Sequence, residues 1–398
     1  MAVDDASGAT RRSGALPQIL VLSFVPIDGD PRVMKQVIRL LEDYDVTTCS
    51  PGRSPHPEVA HVELRADFVA PRSLPSRAID VLARATERFS WGYFHTPGVL
   101  QTAHLLQGRS FDAVIANDAE TVGIASRLFG ADRVHADLHE FFPDMGFDSS
   151  RLGRRQQRYW TWMTRKLVSK ASSSTTVGRE IAQLYREHGV EPSVVTNSTH
   201  LRDLHSTPTG RTIRLVYSGN AFRDWGLGAI MHAVSESSAD LTLDLYLTHN
   251  AAVDRQYHVE LAQQLGDRIE VREPVPQSRL IETLNDYDVG IFVLPPLSPN
   301  SALALPNKFF DYVQARLGIV VGPSVEMARI VKEHSLGLVT ESFDAASIRA
   351  TLDTLTPQRV DAFKSAAMQT ADELSSEKQV EVWAAAVAAI VARGQHAR

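Results

Sequence analysis

In the segment "LPNKFFDY", Pro306 stands where a helix can begin, Lys308 falls in its first turn, and Asp311 follows three positions later on the same face. The free N–H groups of a helix start already carry positive partial charge, so a lysine placed there adds to a site for an anion. Backbone N–H groups at the helix start after Pro306, aided by that lysine, suit the charge of a diphosphate. The alternative is a capped amphipathic helix with Lys308 and Asp311 solvated.

Three other stretches carry chemistry. In "VPIDGDPRVMK", Asp30 is an expected N-cap and Pro31 the first helical residue. Gly29 lets backbone approach a ligand, and Arg32 sits in the first turn. No Gly-x-Gly-x-x-Gly is present, so the stretch is not a dinucleotide fingerprint, and an ordinary tight connection with a surface arginine is the competing reading. In "ANDAET" and "ADLHEFFPD", Asn117, Asp118, Asp137, His139, Glu140 and Asp144 cluster at the ends of two expected strands. Donors and acceptors in that number suit the hydroxyls of a sugar. Turn residues that satisfy strand-end backbone groups are the plainer alternative. The spacing matches no common metal-ligand pattern, so no metal is assigned.

These residues need strand tips to hold them, and the sequence supplies strands at regular intervals. Short β-branched runs alternate with helical patterns, which predicts βαβ units and parallel sheets. In the first half the runs are 18–24, 45–50, 111–117, 133–138, 173–177 and 193–197. After the polar, turn-rich "STHLRDLHSTPTGRT" a second series follows at 213–219, 241–247, 268–273, 289–295 and 318–323. The expected architecture is α/β, with two Rossmann-like, doubly wound domains facing a cleft. Their bounds are 17–204 and 205–375, preceded by a disordered leader over 1–16 and followed by a C-terminal helix over 376–398. A chain of 398 residues is too long for one compact core, in keeping with two domains. The net charge of −6 argues against bulk attraction to nucleic acid. A single cysteine, Cys49, cannot form an internal disulfide, and no run is long enough to span a bilayer, so a cytoplasmic protein is expected.

Taken together, "DGDPRVMKQVIRLLEDYDVTT", "FDAVIANDAET", "ADLHEFFPD", "VVTNSTH", "RLVYSGN" and "LPNKFFDYVQARLGIVVGP" resemble, in order and spacing, the GT-B glycosyltransferases of family 4 over residues 18–340. The resemblance implies a retaining enzyme that moves a sugar from a nucleotide-diphosphate sugar to a carbohydrate, lipid-linked or small-molecule acceptor. It implies no cofactor and no essential metal, an acceptor-binding first domain, a donor-binding second domain, and a last helix that crosses back to brace the first. Asp311 falls at the second of the family's two glutamates, which grips the donor ribose; the first falls at Leu303, which has no carboxylate. The family's two diphosphate-neutralising cations fall at Asn220 and Trp225, leaving Arg223 and Lys308 as substitutes. His139 is placed near the donor sugar. The expected site is therefore Arg223, Lys308 and His139 for catalysis. Gly29, Gly219, Asn220, Pro306, Asn307 and Asp311 are expected on the donor, and Arg32, Asn117, Asp118 and Glu140 on the acceptor.

The lost cations keep two alternatives open: a sugar-nucleotide epimerase on the same scaffold, and a non-catalytic nucleotide-sugar-binding protein. One further stretch, "RLGRRQQRYWTWMTRKLVSK" over 151–170, places Leu152, Tyr159, Met163 and Leu167 on one helical stripe and most arginines elsewhere. It reads either as a packed helix with a solvated basic face or as a peripheral contact with anionic lipid at the inner face of the membrane.

Overall fold

The computed structural model describes residues 16–65 and 86–396, apart from the side chain of residue 250. The leader expected over 1–16 lies outside the described residues but for Leu16. Two parallel sheets organise the rest. The first contains β1 (Gln18–Leu22), β2 (Asp45–Pro51), β3 (Ala60–Leu64), β4 (Ala113–Asn117), β5 (Val134–Leu138), β6 (Ser173–Thr176) and β7 (Pro192–Val194), in the order β3-β2-β1-β4-β5-β6-β7. The second contains β8 (Ile213–Gly219), β9 (Leu241–Leu247), β10 (Ile269–Arg272), β11 (Val289–Phe292), β12 (Gly318–Val321) and β13 (Gly337–Val339), in the order β10-β9-β8-β11-β12-β13. Strand order reverses between β1 and β4 in one sheet and between β8 and β11 in the other. Each reversal opens a crevice at the strands' carboxyl ends.

The strands are parallel because helices cross over between them, and helices on both faces bury the central strands completely. In β1 and β4 the alternation of side chains divides the packing. Leu20, Leu22, Val114 and Ala116 face one helical layer, whereas Ile19, Val21, Ala113 and Ile115 face the other. That second layer includes Val33, Val37 and Leu40 of the helix Pro31–Leu41 together with Val387, Ile390 and Val391. The last three belong to the long helix Ser376–His396, which lies against the first sheet although it follows the second in sequence. Their spacing of three and four puts them on one stripe. Burying each contributes about 1.5–3 kcal/mol, so a charged replacement of Val387 would detach the helix.

The helix Arg151–Lys166 turns its aromatic side inward. Tyr159 and Met163 are buried, and Trp160 and Trp162 are partly buried against the first-domain core. Leu152, expected on the same stripe, is 62% exposed. No helix among the described residues is long and apolar enough to cross a membrane.

Candidate active site

Asp30 caps the helix Pro31–Leu41 as the sequence predicts, accepting from the backbone N–H of Arg32 at 2.9 Å and of Val33 at 3.2 Å. The first-turn arginine that follows turns inward instead of toward the cleft. Arg32 donates from Nε and Nη2 to the two oxygens of Asp137, at 2.8 and 2.7 Å. Its Nη1 donates to the carbonyl of Val195 at 2.6 Å, and its guanidinium lies 4.8 Å from the Trp383 ring. The acceptor contact expected of Arg32 is thus replaced by a buried junction of first helix, connecting segment and last helix. Asp137 also accepts from Gln36 Nε2 at 2.6 Å and Thr175 Oγ1 at 2.6 Å. Burial alone would raise the pKa of Asp137, but the charge of Arg32 and the bonds around it hold it well below the usual carboxylate range.

Next to this junction the structure assembles three of the residues read from the strand tips. His139 Nε2 donates to Asp137 Oδ2 at 3.2 Å, and its Nδ1 lies 3.7 Å from Asp118 Oδ1. Burial would lower its pKa; the charge of Asp118 and the bond to Asp137 prevail and push it up to about 9. That shift favours the imidazolium, a donor and a charge with no free nitrogen to act as a base. Asp118, at the end of β4, has φ 65° and ψ 156°, a region populated almost only by glycine, and accepts from the backbone N–H of His139 at 3.3 Å. Glu140 is exposed, next to His139. Asn117 is buried; its Nδ2 donates to the Leu22 carbonyl at 3.4 Å, and its Oδ1 has no hydrogen-bond partner among the described residues. Gly29 lies exposed in the turn Ile27–Gly29, with nothing within 4 Å of where a Cβ would stand.

On the other side of the cleft, β8 ends at Gly219 with φ +131°. A Cβ there would stand 2.8 Å from Lys308 Nζ and displace the amine, and the positive φ itself favours glycine. Lys308 enters from the helix Asn307–Gln314, which starts behind Pro306. Its Nζ is shielded from solvent and has no hydrogen-bond partner among the described residues, and burial lowers its pKa to about 7 against the pull of Asp311. Asn220 accepts from Thr248 Oγ1 at 3.2 Å. Arg223, by contrast, is paired with Asp254 at 3.1 Å and stacked 4.1 Å from the Tyr257 ring. Its charge is thus directed to the helix Ala252–Leu265, and it shares no contact with Lys308. Asp311 is 4% exposed; Thr199 Oγ1 donates to its Oδ1 at 2.6 Å, while Oδ2 has no partner among the described residues. Burial raises its pKa to about 6, opposed by the Thr199 bond and the charge of Lys35.

The contacts that close the two domains on each other carry no local signal in the sequence. Glu326, fully buried on the second-domain helix Val325–Glu333, accepts at 2.7 Å from the N–H of Glu180 at the start of the first-domain helix Arg179–Arg186. Arg329 donates to its other oxygen at 2.8 Å. Asn300 Oδ1 accepts from the Phe141 N–H at 2.9 Å, directly after Glu140. Lys35, three residues past Arg32, donates to the Ser198 carbonyl on the segment that joins the domains. Among the described residues no group of three or more His, Cys, Asp or Glu side chains is arranged to hold a metal ion.

No protein-family model matches the chain, and no curated protein matches it in sequence. Solved structures match it in three dimensions along nearly its whole length. The sucrose-phosphate synthase of Thermosynechococcus elongatus superposes with a TM-score of 0.69 at 13% identity, covering 95% of this chain and 100% of its own. A glycosyltransferase from Rickettsia africae gives 0.67 at 11% identity, over 94% of this chain and 99% of its own. HepE of Anabaena, in complex with UDP and glucose, gives 0.65 at 12% identity, over 94% and 100%. At such identities the likeness is one of fold, and the fold is GT-B.

Proposed function

We propose that this protein is a glycosyltransferase that moves a sugar from a nucleotide-diphosphate sugar to an acceptor hydroxyl with retention of configuration. The observation that carries the reading is Lys308: a shielded amine with no hydrogen-bond partner among the described residues, at the tips of β8 and β11 in a GT-B fold. A diphosphate leaving group supplies the anion this amine lacks. Negative charge grows on the diphosphate as the glycosidic bond breaks, so Lys308 and the amides at the start of Asn307–Gln314 bind the transition state more tightly than the donor. Asp311 Oδ2 accepts a ribose hydroxyl. His139, as an imidazolium, donates to an oxygen of the reacting sugar, held in place by Asp118 and Asp137. Asn117, Asp118 and Glu140 face the acceptor.

The sugar nucleotides named in the solved relatives, UDP with glucose in HepE and UDP-2-fluoro glucose in an Escherichia coli trehalose-6-phosphate protein, support a uridine donor. No cofactor enters this reading and no metal is required; activity that is lost on chelation and returns with a divalent ion would overturn that part. The single buried Cys49 supports a cytoplasmic location. A peripheral lipid contact through 151–170 would rest on the arginine face of Arg151–Lys166 alone, because its aromatic side is packed inward.

A thermal-shift panel of nucleoside diphosphates tests the reading. A ligand selective for the folded state raises the melting temperature by mass action, and UDP is expected to give the largest rise. A flat response across the panel would remove the proposal. Interconversion of free nucleotide sugars without transfer would establish the epimerase in its place.

A further inference from the structure

Lys308 does not simply point into the cleft. Its Nζ lies 3.9 Å from the ring centroid of Tyr217, 4.3 Å from that of Phe292 and 5.5 Å from that of Trp225. Gly219 closes a further side, since a Cβ there would stand 2.8 Å from Nζ. The walls are themselves held. The Tyr217 hydroxyl donates to the Asn220 carbonyl at 2.9 Å, and Trp225 packs against Phe222 and Phe292 at centroid distances of 5.3 and 6.4 Å. An ammonium among three ring faces gains cation–π attraction but no hydrogen bond, and it has given up its water. Such an amine is partly satisfied, and an anion at the strand tips offers it charge-assisted hydrogen bonds.

We propose that Tyr217, Phe292 and Trp225 are positioning residues that cage the Lys308 amine when the site is free of nucleotide, and that a sugar-linked diphosphate binds by drawing this amine out of the cage. The nature of the anion rests on the reading of the cleft given above; the cage does not. Trp225 stands where the resembled family carries a cation, so this chain replaces a second charge by a wall that holds the first.

A consequence is proton-linked binding. Among the described residues the one charge in the balance of Lys308 is Asp311, one turn on in its own helix. From β8 it meets the phenol of Tyr217, kept neutral by burial, and Phe292 of β11 and Trp225 bring no charge. Burial brings the amine to about 7, so at neutral pH part of the population is uncharged and must take up a proton to meet the diphosphate. Affinity then falls by about tenfold per pH unit above that value, until the amine of the complex also titrates.

The test uses full-length protein with 13C at the lysine ε-carbons, which labels seven sites. One ε-CH2 resonance, absent in Lys308→Arg, is expected to lie upfield through ring currents and to titrate at least two pH units below the exposed lysines. Trp225→Phe should keep the upfield position; Trp225→Ala should relax it and raise the midpoint by more than one unit. UDP-glucose, which has no phosphate ionisation near neutrality, should return the resonance to an ordinary position. If no lysine resonance is displaced, or if the displacement and midpoint survive both Trp225→Ala and Phe292→Leu, there is no cage. A displaced resonance that stays put when UDP-glucose binds would refute the withdrawal. Failure of UDP-glucose, GDP-mannose and pyrophosphate all to bind would defeat the nucleotide-sugar reading and the withdrawal with it, while the free-protein spectra decide the cage on their own.

Discussion

Arg32→Ala is expected to unravel the first domain's attachment to the last helix, an effect distinct from loss of a substrate contact. The side chains of Arg32 and Asp137 are 6% and 0% exposed, joined by two hydrogen bonds of 2.7 and 2.8 Å. Removing the arginine leaves a buried carboxylate with only neutral donors and His139 around it, and leaves the Val195 carbonyl without its 2.6 Å donor. Breaking one partner of such a pair costs about 3–5 kcal/mol. Trp383, whose ring lies 4.8 Å from the guanidinium, loses a cation–π contact as well, which favours the upper half of that range. Urea unfolding followed by far-UV circular dichroism and tryptophan fluorescence measures the loss. Arg32→Lys should fall between, because it keeps the charge but not the two-pronged fork. Arg32→Met combined with Asp137→Leu should recover part of the stability, since the buried pair goes together while Gln36, Thr175 and His139 lose an acceptor. Should Arg32→Ala unfold within about 0.5 kcal/mol of wild type, the range of an ordinary surface substitution, and raise only the Michaelis constant for the acceptor, the buried-junction account is wrong.

Lys308→Ala should lower turnover on the order of 100-fold, about 2.7 kcal/mol, with a smaller change in nucleotide-sugar affinity; steady-state kinetics separates the two. Arg223→Ala, whose charge is already paired with Asp254, should change turnover by less than about tenfold, and a loss as large as that of Lys308→Ala would restore Arg223 as the second cation. His139, raised to about 9, contributes stability that is fully present below its ordinary value of 6.5 and is lost as pH rises through about 9. Asp118→Asn should move the His139 midpoint down by about one unit in a histidine NMR titration, and an unmoved midpoint would count against the pairing. Gly178→Ala would bring a Cβ within 2.7 Å of Glu326 Oε1 and push that carboxylate off the helix start, so small-angle scattering should record a larger radius of gyration than wild type.

Strands were legible where the apolar pattern is strong, either as a nearly continuous run such as "IRLVYSG" or as the strict alternation of "LTLDLYL". Two strands escaped that reading. Ala60–Leu64 lies at a sheet edge, where His61 and Glu63 interrupt the apolar pattern. Gly337–Val339 has three residues and exists through its pairing with β12, where a Cβ at Gly337 would stand 1.8 Å from the Ile319 carbonyl oxygen. Caps and strand tips were legible because their signals are local, as Asp30 and Pro31 show. The direction of a side chain was not. Arg32 finds its partner 105 residues away, and the ring walls around Lys308 come from β8, β11 and the turn between Gly219 and the helix Leu227–Glu236. Long-range packing decides such contacts, and a local pattern carries no trace of it.

Release of nucleoside diphosphate from a panel of nucleotide sugars, measured on the purified protein with and without simple sugar acceptors, tests the central claim most directly. The account predicts slow release from one donor in water, faster release when an acceptor hydroxyl is supplied, a glycosylated product that keeps the donor's anomeric configuration, and about a hundredfold loss in Lys308→Ala. Tight binding of a nucleotide sugar with no release above background, in wild type and Lys308→Ala alike, would contradict it and leave a protein that holds such donors without transferring them.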